Sequence, residues 1–227
     1  MLEDMIGSGA GLYTMPEAAR YARMHPNTLA RWFKGDGYCE RVFSVENSKI
    51  ITFLDFVQAL AVRNLRVHYK IPLQEIRDAV DRAVKDHDIA YPFAYKHTTF
   101  LFENKIWIQP EGKQLVQISG KGHGQTGLTA IIENFYKDIS FDPKTGFANS
   151  YKAYERTYAS GSHKIVMNPN MRFGEPILDN SGYTPEALFE AAKTEGSVEG
   201  AALNYGVSVD QIKICIDYFD FLSSRGN

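Results

Sequence analysis

Apolar residues along this chain recur first on the helical period, then on the strand period, then on the helical period again. In Tyr13–Phe33 the pattern describes two short helices with a tight break. Thr14 caps the first helix, and Glu17 stands where a capping box requires it. Ala18, Ala19 and Ala22 give that helix a small, close-packing face. The break falls near Met24–His25. Pro26 then takes the first position of the second helix, where its missing N–H costs nothing. Leu29, Trp32 and Phe33 form the buried side of this helix, while Asn27, Thr28, Arg31 and Lys34 point elsewhere. Gly35-Asp36-Gly37 is a turn. Tyr38–Ser44 and Lys49–Thr52 form a short hairpin around Glu46-Asn47-Ser48, which is a wing. Thr52 caps a longer helix running to about Tyr69, with Phe53, Val57, Leu60, Ala61, Asn64, Leu65 and His68 on one face. Pro72 opens another, whose buried side is Ile76, Ala79, Val80 and Ala83. Arg63, Arg66, Arg77 and Arg82 read as solvent-facing charges that alternate with acids.

The period then shortens. Thr98–Phe102, Ile106–Ile108 and Gln114–Ser119 are β-branched and aromatic runs separated by turn residues, a three-stranded antiparallel meander. A sheet this small is marginal alone, so it packs on neighbouring helices or on a second copy of the chain. Gly120–Gly127 connects it to a helix over Leu128–Lys137, and Asp142–Gly146 is a hairpin turn. Ile165–Met167 is a strand, and Asn168-Pro169-Asn170 turns the chain. Three short helices follow, opened by Thr184-Pro185, by Ser197 and by a capping box at Ser208–Gln211. Gly206 ends the second, and the stripe of the third is Ile212, Cys215, Ile216, Phe219 and Leu222. The whole is an α+β chain in three parts: a winged helix-turn-helix over 1–88, a central strand-and-helix element over 89–160 that dimerises or links, and a tri-helical, helix-turn-helix-like part over 161–227.

Charge gives the first part its chemistry. The net charge is −2, no warrant by itself for a nucleic-acid partner. Within Tyr13–Lys34, however, Arg20, Arg23, Arg31 and Lys34 face Glu17 alone. A helix-turn-helix lays its second helix in the major groove and crosses the backbone with its first. Arg31 forks onto guanine and Asn27 pairs with adenine in such an arrangement. Thr28 and Lys34 share that face, and Arg20 and Arg23 suit phosphates. Arg41 and Lys49 add basic charge on the wing. Residues 174–227, by contrast, hold three basic and nine acidic groups, which will not sit on phosphate and suit a basic protein face or solvent.

Other chemistry is not indicated. Gly122, Gly124 and Gly127 match the dinucleotide fingerprint, but the parallel strand–helix alternation it needs is absent. The six histidines show no metal-ligand spacing, and no serine has a nucleophile-elbow context, so no catalytic, cofactor or metal residue is assigned. Cys39 and Cys215 form no CxxC motif. With no apolar run of about 18 residues and no leader, a cytoplasmic protein without a membrane span is expected.

Two resemblances sharpen this. The order helix-turn-helix, wing, then ITFLDFVQALAVRNLRVHYKIPLQEIRDAVDRAV is similar to the MerR-type arrangement, over about the first 86 residues. The C-terminal part resembles the small tri-helical domain of VapB-type antitoxins that pair with PIN-domain toxins. The residues that carry it are Asn168-Pro169, Phe173-Gly174-Glu175-Pro176-Ile177, Ser181-Gly182, Thr184, Glu195-Gly196-Ser197-Val198-Glu199 and Asn204-Tyr205-Gly206-Val207-Ser208. It departs from that pattern at Glu175, where a basic residue is common, and at Asn180–Tyr183. The resemblance implies an antitoxin and autorepressor. Its front would bind double-stranded operator DNA as a homodimer, and its back would silence a cognate PIN-type ribonuclease. Arg225 is a candidate for engaging the acidic toxin site. Two alternatives stand beside it. One is a MerR-type ligand-responsive regulator whose pocket is lined by Phe93, Tyr95, Phe100, Phe102 and Trp107. The other is a protein-interaction adaptor.

Overall fold

Thr52 starts the element on which the N-terminal half is built. In the computed structural model, which describes residues 11–35, 40–43, 50–96, 99–102, 105–109, 116–120 and 136–224, its hydroxyl accepts the Asp55 N–H. The Asp55 carboxylate in turn accepts from the Thr52 N–H at 2.9 Å. The helix this box opens, α3 (Phe53–Val67), is buried at every position from Phe53 to Val62 and again at Leu65. The expected single face is therefore too narrow: Leu54, Phe56, Ala59 and Val62 are core as well, and His68 is exposed. A helix enclosed on all sides loses its amphipathic signature, because packing rather than periodicity decides its composition.

The described residues divide into two compact units, one of Tyr13–Asn149 and one that begins at Ser150. In the first, β1 (Leu12–Thr14) pairs with β2 (Ile50–Thr52), and Tyr13 and Ile51 are their buried centres. Helices α1 (Met15–Tyr21) and α2 (Pro26–Lys34) lie between those strands in sequence. The expected wing is altered. β2 takes β1 as its partner, and Glu40–Phe43 forms no strand because the Val42 and Phe43 N–H groups both donate to the Trp32 carbonyl. The tip around Glu46-Asn47-Ser48 lies outside the described residues.

Helix α4 (Leu73–His87) buries Ile76, Ala79, Val80 and Ala83, as its pattern predicts. The arginines of α3 and α4 are not all idle surface charges. Arg66 donates to the Ile71 carbonyl at 2.7 Å and fixes the α3–α4 connection. Arg82 donates to the Ile118 carbonyl at 2.6 Å, and Lys105 pairs with Glu75. These last two tie α4 to the antiparallel sheet β3 (Thr99–Phe102), β4 (Lys105–Ile108) and β5 (Val116–Gln117). Ile106, Trp107 and Ile108 are buried, so the meander does find its apolar partner within its own unit. Strand β6 (Ile139–Phe141) runs into the turn at Asp142, whose carboxylate caps the Lys144 and Thr145 N–H groups. The turn closes with Gly146 at φ +74°, where a Cβ would meet the Tyr95 ring at 2.8 Å. Of the segment 121–135, which includes most of the expected helix at Leu128–Lys137, none lies among the described residues.

The second unit is a sheet with three helices. β7 (Ala148–Tyr158), β8 (Gly161–Met167) and β9 (Pro176–Leu178) form an antiparallel meander. Helices α5 (Pro185–Thr194), α6 (Val198–Tyr205) and α7 (Val209–Ser223) open on side-chain caps from Thr184, Ser197 and Ser208. All three caps stand where the sequence puts them. The boundary expected between 160 and 161 falls at the β7–β8 turn. The second unit takes in β7 from Ser150, and residues 89–149 share a unit with α1 and α2.

Candidate nucleic-acid interface

Helix α1 begins on a complete capping box: the Thr14 hydroxyl accepts the Glu17 N–H, and the Glu17 carboxylate accepts the Thr14 N–H at 2.8 Å. Its buried face is Met15, Ala18 and Ala19, with Ala22 just beyond. Tyr13 wedges against Phe56 and Tyr21, with ring centroids 5.2 and 6.2 Å away. The helix stops at Arg23, which is left-handed at φ +52°. The Met24 N–H donates back to the Ala19 carbonyl, the closing bond of a Schellman turn.

His25 caps α2. Its Nδ1 accepts the Asn27 N–H at 3.2 Å, a role the sequence reading missed. Imidazole is an uncommon cap, and the signal is only its place immediately before Pro26. Leu29, Trp32 and Phe33 anchor α2 with exposures of 5% or less. Phe33 packs on Phe43, centroids 5.3 Å apart. That anchoring fixes the rotation of the helix and leaves Asn27, Thr28, Arg31 and Lys34 exposed together on the opposite face.

Arg20 is exposed on α1, and Arg23 is half-buried at the turn between the helices. Arg41 is exposed beside the C-terminal half of α2, held there by the bonds from Val42 and Phe43 to Trp32, 2.7 and 3.1 Å long. Arg20, Arg23 and Arg31 each engage a neighbour in the free chain. Lys49 lies outside the described residues. Seven of the eight basic or polar positions read from sequence thus stand on α1, the turn, α2 or the segment tied to α2. Chemically this is a set of guanidinium, ammonium and amide groups on an exposed helix and its surroundings, suited to phosphate oxygens and base edges.

The aromatic residues considered as a ligand pocket are placed differently. Phe93 and Trp107 are core, and Tyr95 packs edge-on against Phe147 at 5.2 Å. The side chains at 100 and 102 are outside the described residues. In the second unit Ser160, His163 and Asp210 come together, but the Ser160 hydroxyl donates to Asp210 at 2.6 Å and meets His163 Nε2 at 3.2 Å. The carboxylate holds the serine rather than the imidazole, so the trio fastens the β7–β8 turn to α7. Cys215 is buried, which pushes its thiol up to about 12 and leaves it unreactive. Among the described residues, no helix is long and apolar enough to cross a membrane.

No protein-family model matches the sequence. A curated Mycobacterium tuberculosis protein named "Putative antitoxin VapB45" is 24% identical over 238 aligned positions, covering 91% of this chain and 92% of that protein. The crystal structure of Rv2018 from Mycobacterium tuberculosis is similar in fold, with a TM-score of 0.56 at 18% identity over 90% of this chain and 96% of that one.

Proposed function

We propose that this chain is the antitoxin of a type II toxin–antitoxin pair. In this reading α1 and α2 bind operator DNA as an autorepressor, with two copies of the chain on a pseudo-palindrome, and the unit from Ser150 onward neutralises a PIN-type ribonuclease. The observation that carries it is the likeness to VapB45 along nearly the whole of both chains. A match confined to the helix-turn-helix would have argued only for a DNA reader. The exposed face of α2 supports the operator half of the reading. The acidic balance of residues 174–227 supports a protein rather than a nucleic-acid partner for the other half.

The test is co-expression with the product of the adjacent reading frame, followed by mass determination of the purified particle. A stable complex, together with toxicity when the neighbour is expressed alone, is the expected result. A chain that purifies without its neighbour, and a neighbour harmless on its own, would remove the antitoxin reading.

A further inference from the structure

The segment that joins β8 to β9 exposes two large apolar side chains, Met171 at 43% and Phe173 at 78%. It does so with a disfavoured backbone. Arg172, Phe173 and Gly174 are consecutively left-handed, at φ +45°, +55° and +88°. Glycine adopts this region freely, but Cβ sterics oppose it for arginine and phenylalanine. The segment is nonetheless tightly built. Asn168 Oδ1 accepts the Asn170 N–H at 2.9 Å, and the Gly174 and Glu175 N–H groups donate to Met171 and Arg172 carbonyls. Arg172 Nε reaches across to the Gly182 carbonyl at 2.8 Å, and Pro176 pairs with Met167 directly afterwards. Strain of this kind persists only where surrounding structure enforces it, and it clusters where a chain meets a ligand. An aromatic ring held outward on a preorganised loop has the form of an interface anchor.

The surrounding charge selects the occupant. Lys152, Arg156, Lys164, Lys193 and Lys213 are all engaged in ion pairs within their own unit. Among the described residues Glu175, Asp179, Glu186, Glu195, Glu199 and Asp220 have no such partner. The surface is therefore acidic, with these five cations committed to ion pairs and Arg172 held to the Gly182 carbonyl. Nucleic acid and a second copy of this unit would both meet like charge. We infer that Phe173 is the anchor by which this unit docks on a partner protein that offers an apolar pocket rimmed by lysine or arginine, with Glu175 as the adjacent charge contact. The inference rests on the antitoxin reading, in which that partner is the toxin.

The experiment titrates the protein encoded by the adjacent reading frame with the full chain, as wild type, Phe173→Gly and Glu175→Lys, and records the Tm and sedimentation of each. Phe173→Gly is expected to weaken binding at least about tenfold, the scale of an interface hot spot. Its Tm is expected to hold, or to rise by about 2–4 °C as the left-handed strain is relieved. Glu175→Lys is expected to slow association, with the difference shrinking as salt is added. Wild-type binding that Phe173→Gly leaves intact overturns the anchor and spares the antitoxin reading. Loss of binding together with a lower Tm makes Phe173 a packing residue and also overturns it, as does a wild-type dimer that Phe173→Gly dissociates. A wild-type chain that does not bind its neighbour removes both readings.

Discussion

Arg31 is the residue on which the operator reading turns most directly. It is exposed on the face of α2 opposite Leu29, Trp32 and Phe33. Arg31→Ala is expected to weaken operator binding by about 1–3 kcal/mol and to relax specificity at one base position. Fluorescence anisotropy with operator and scrambled duplexes at one salt concentration measures both. An equal loss on every sequence would make Arg31 a phosphate contact. Asp55 tests a different kind of residue. Burial raises its pKa, against the opposing hydrogen bonds from Thr52. A carboxyl raised in the folded state binds protons more tightly there, so stability is lost as pH climbs from its unfolded value, about 3.9, through the folded one. Asp55→Asn keeps an oxygen for the Thr52 cap and removes the buried charge. Its Tm relative to wild type is expected to be higher at pH 7, with the advantage gone below about pH 3.5.

At the scale of elements, β7 and α7 hold the C-terminal unit together. The register against β8 slips between Lys152 and Tyr154, a bulge at Ala153. Beyond it Tyr154, Arg156 and Tyr158 share one face of the strand. Tyr154 packs on Tyr218 and Phe221, while Arg156 and the Tyr158 hydroxyl both bond Asp217 of α7. Asp217→Ala leaves a part-buried phenol without its acceptor and is expected to cost about 1–3 kcal/mol in denaturant unfolding, with DNA affinity unchanged. Gly206→Ala is a cleaner backbone test. The residue is left-handed at φ +64° with open space around it, so about 1–2 kcal/mol should be lost from sterics alone.

The same elements show what could be read before the structure. The helix starts at Thr14, Thr52, Thr184, Ser197 and Ser208 were legible because caps are local chemistry. So was the meander of β3 to β5, bounded by turn residues. The strand β7 was not. Its polar composition hides it, and the bulge at Ala153 shifts the alternation halfway along. The stripe assigned to α7 omitted Ile214 and Tyr218, both buried, because this helix packs on the sheet as well as on α5 and α6. The candidate DNA face was legible through the anchors on its far side, whereas the cap at His25 and the strained Phe173 lay outside any local rule.

For the whole molecule, the two units assign the proposed activities to separate sets of residues. Arg31→Ala should weaken repression in an operator–reporter strain while leaving protection from the toxin intact, and Phe173→Gly should show the converse. The two units are not joined by a linker, however. The chain passes from one to the other inside β7, whose first two residues belong to the N-terminal unit and the rest to the C-terminal one. Separating them by cutting at Gly161, which the sequence invites, would leave β8 as an open edge with a row of unpaired N–H and C=O groups. It would also strip Tyr154 and Tyr158 from α7. Such a fragment is prone to strand-to-strand self-association along that edge. Any rearrangement of this architecture by gene fusion must therefore carry the β7–β8 hairpin as one piece.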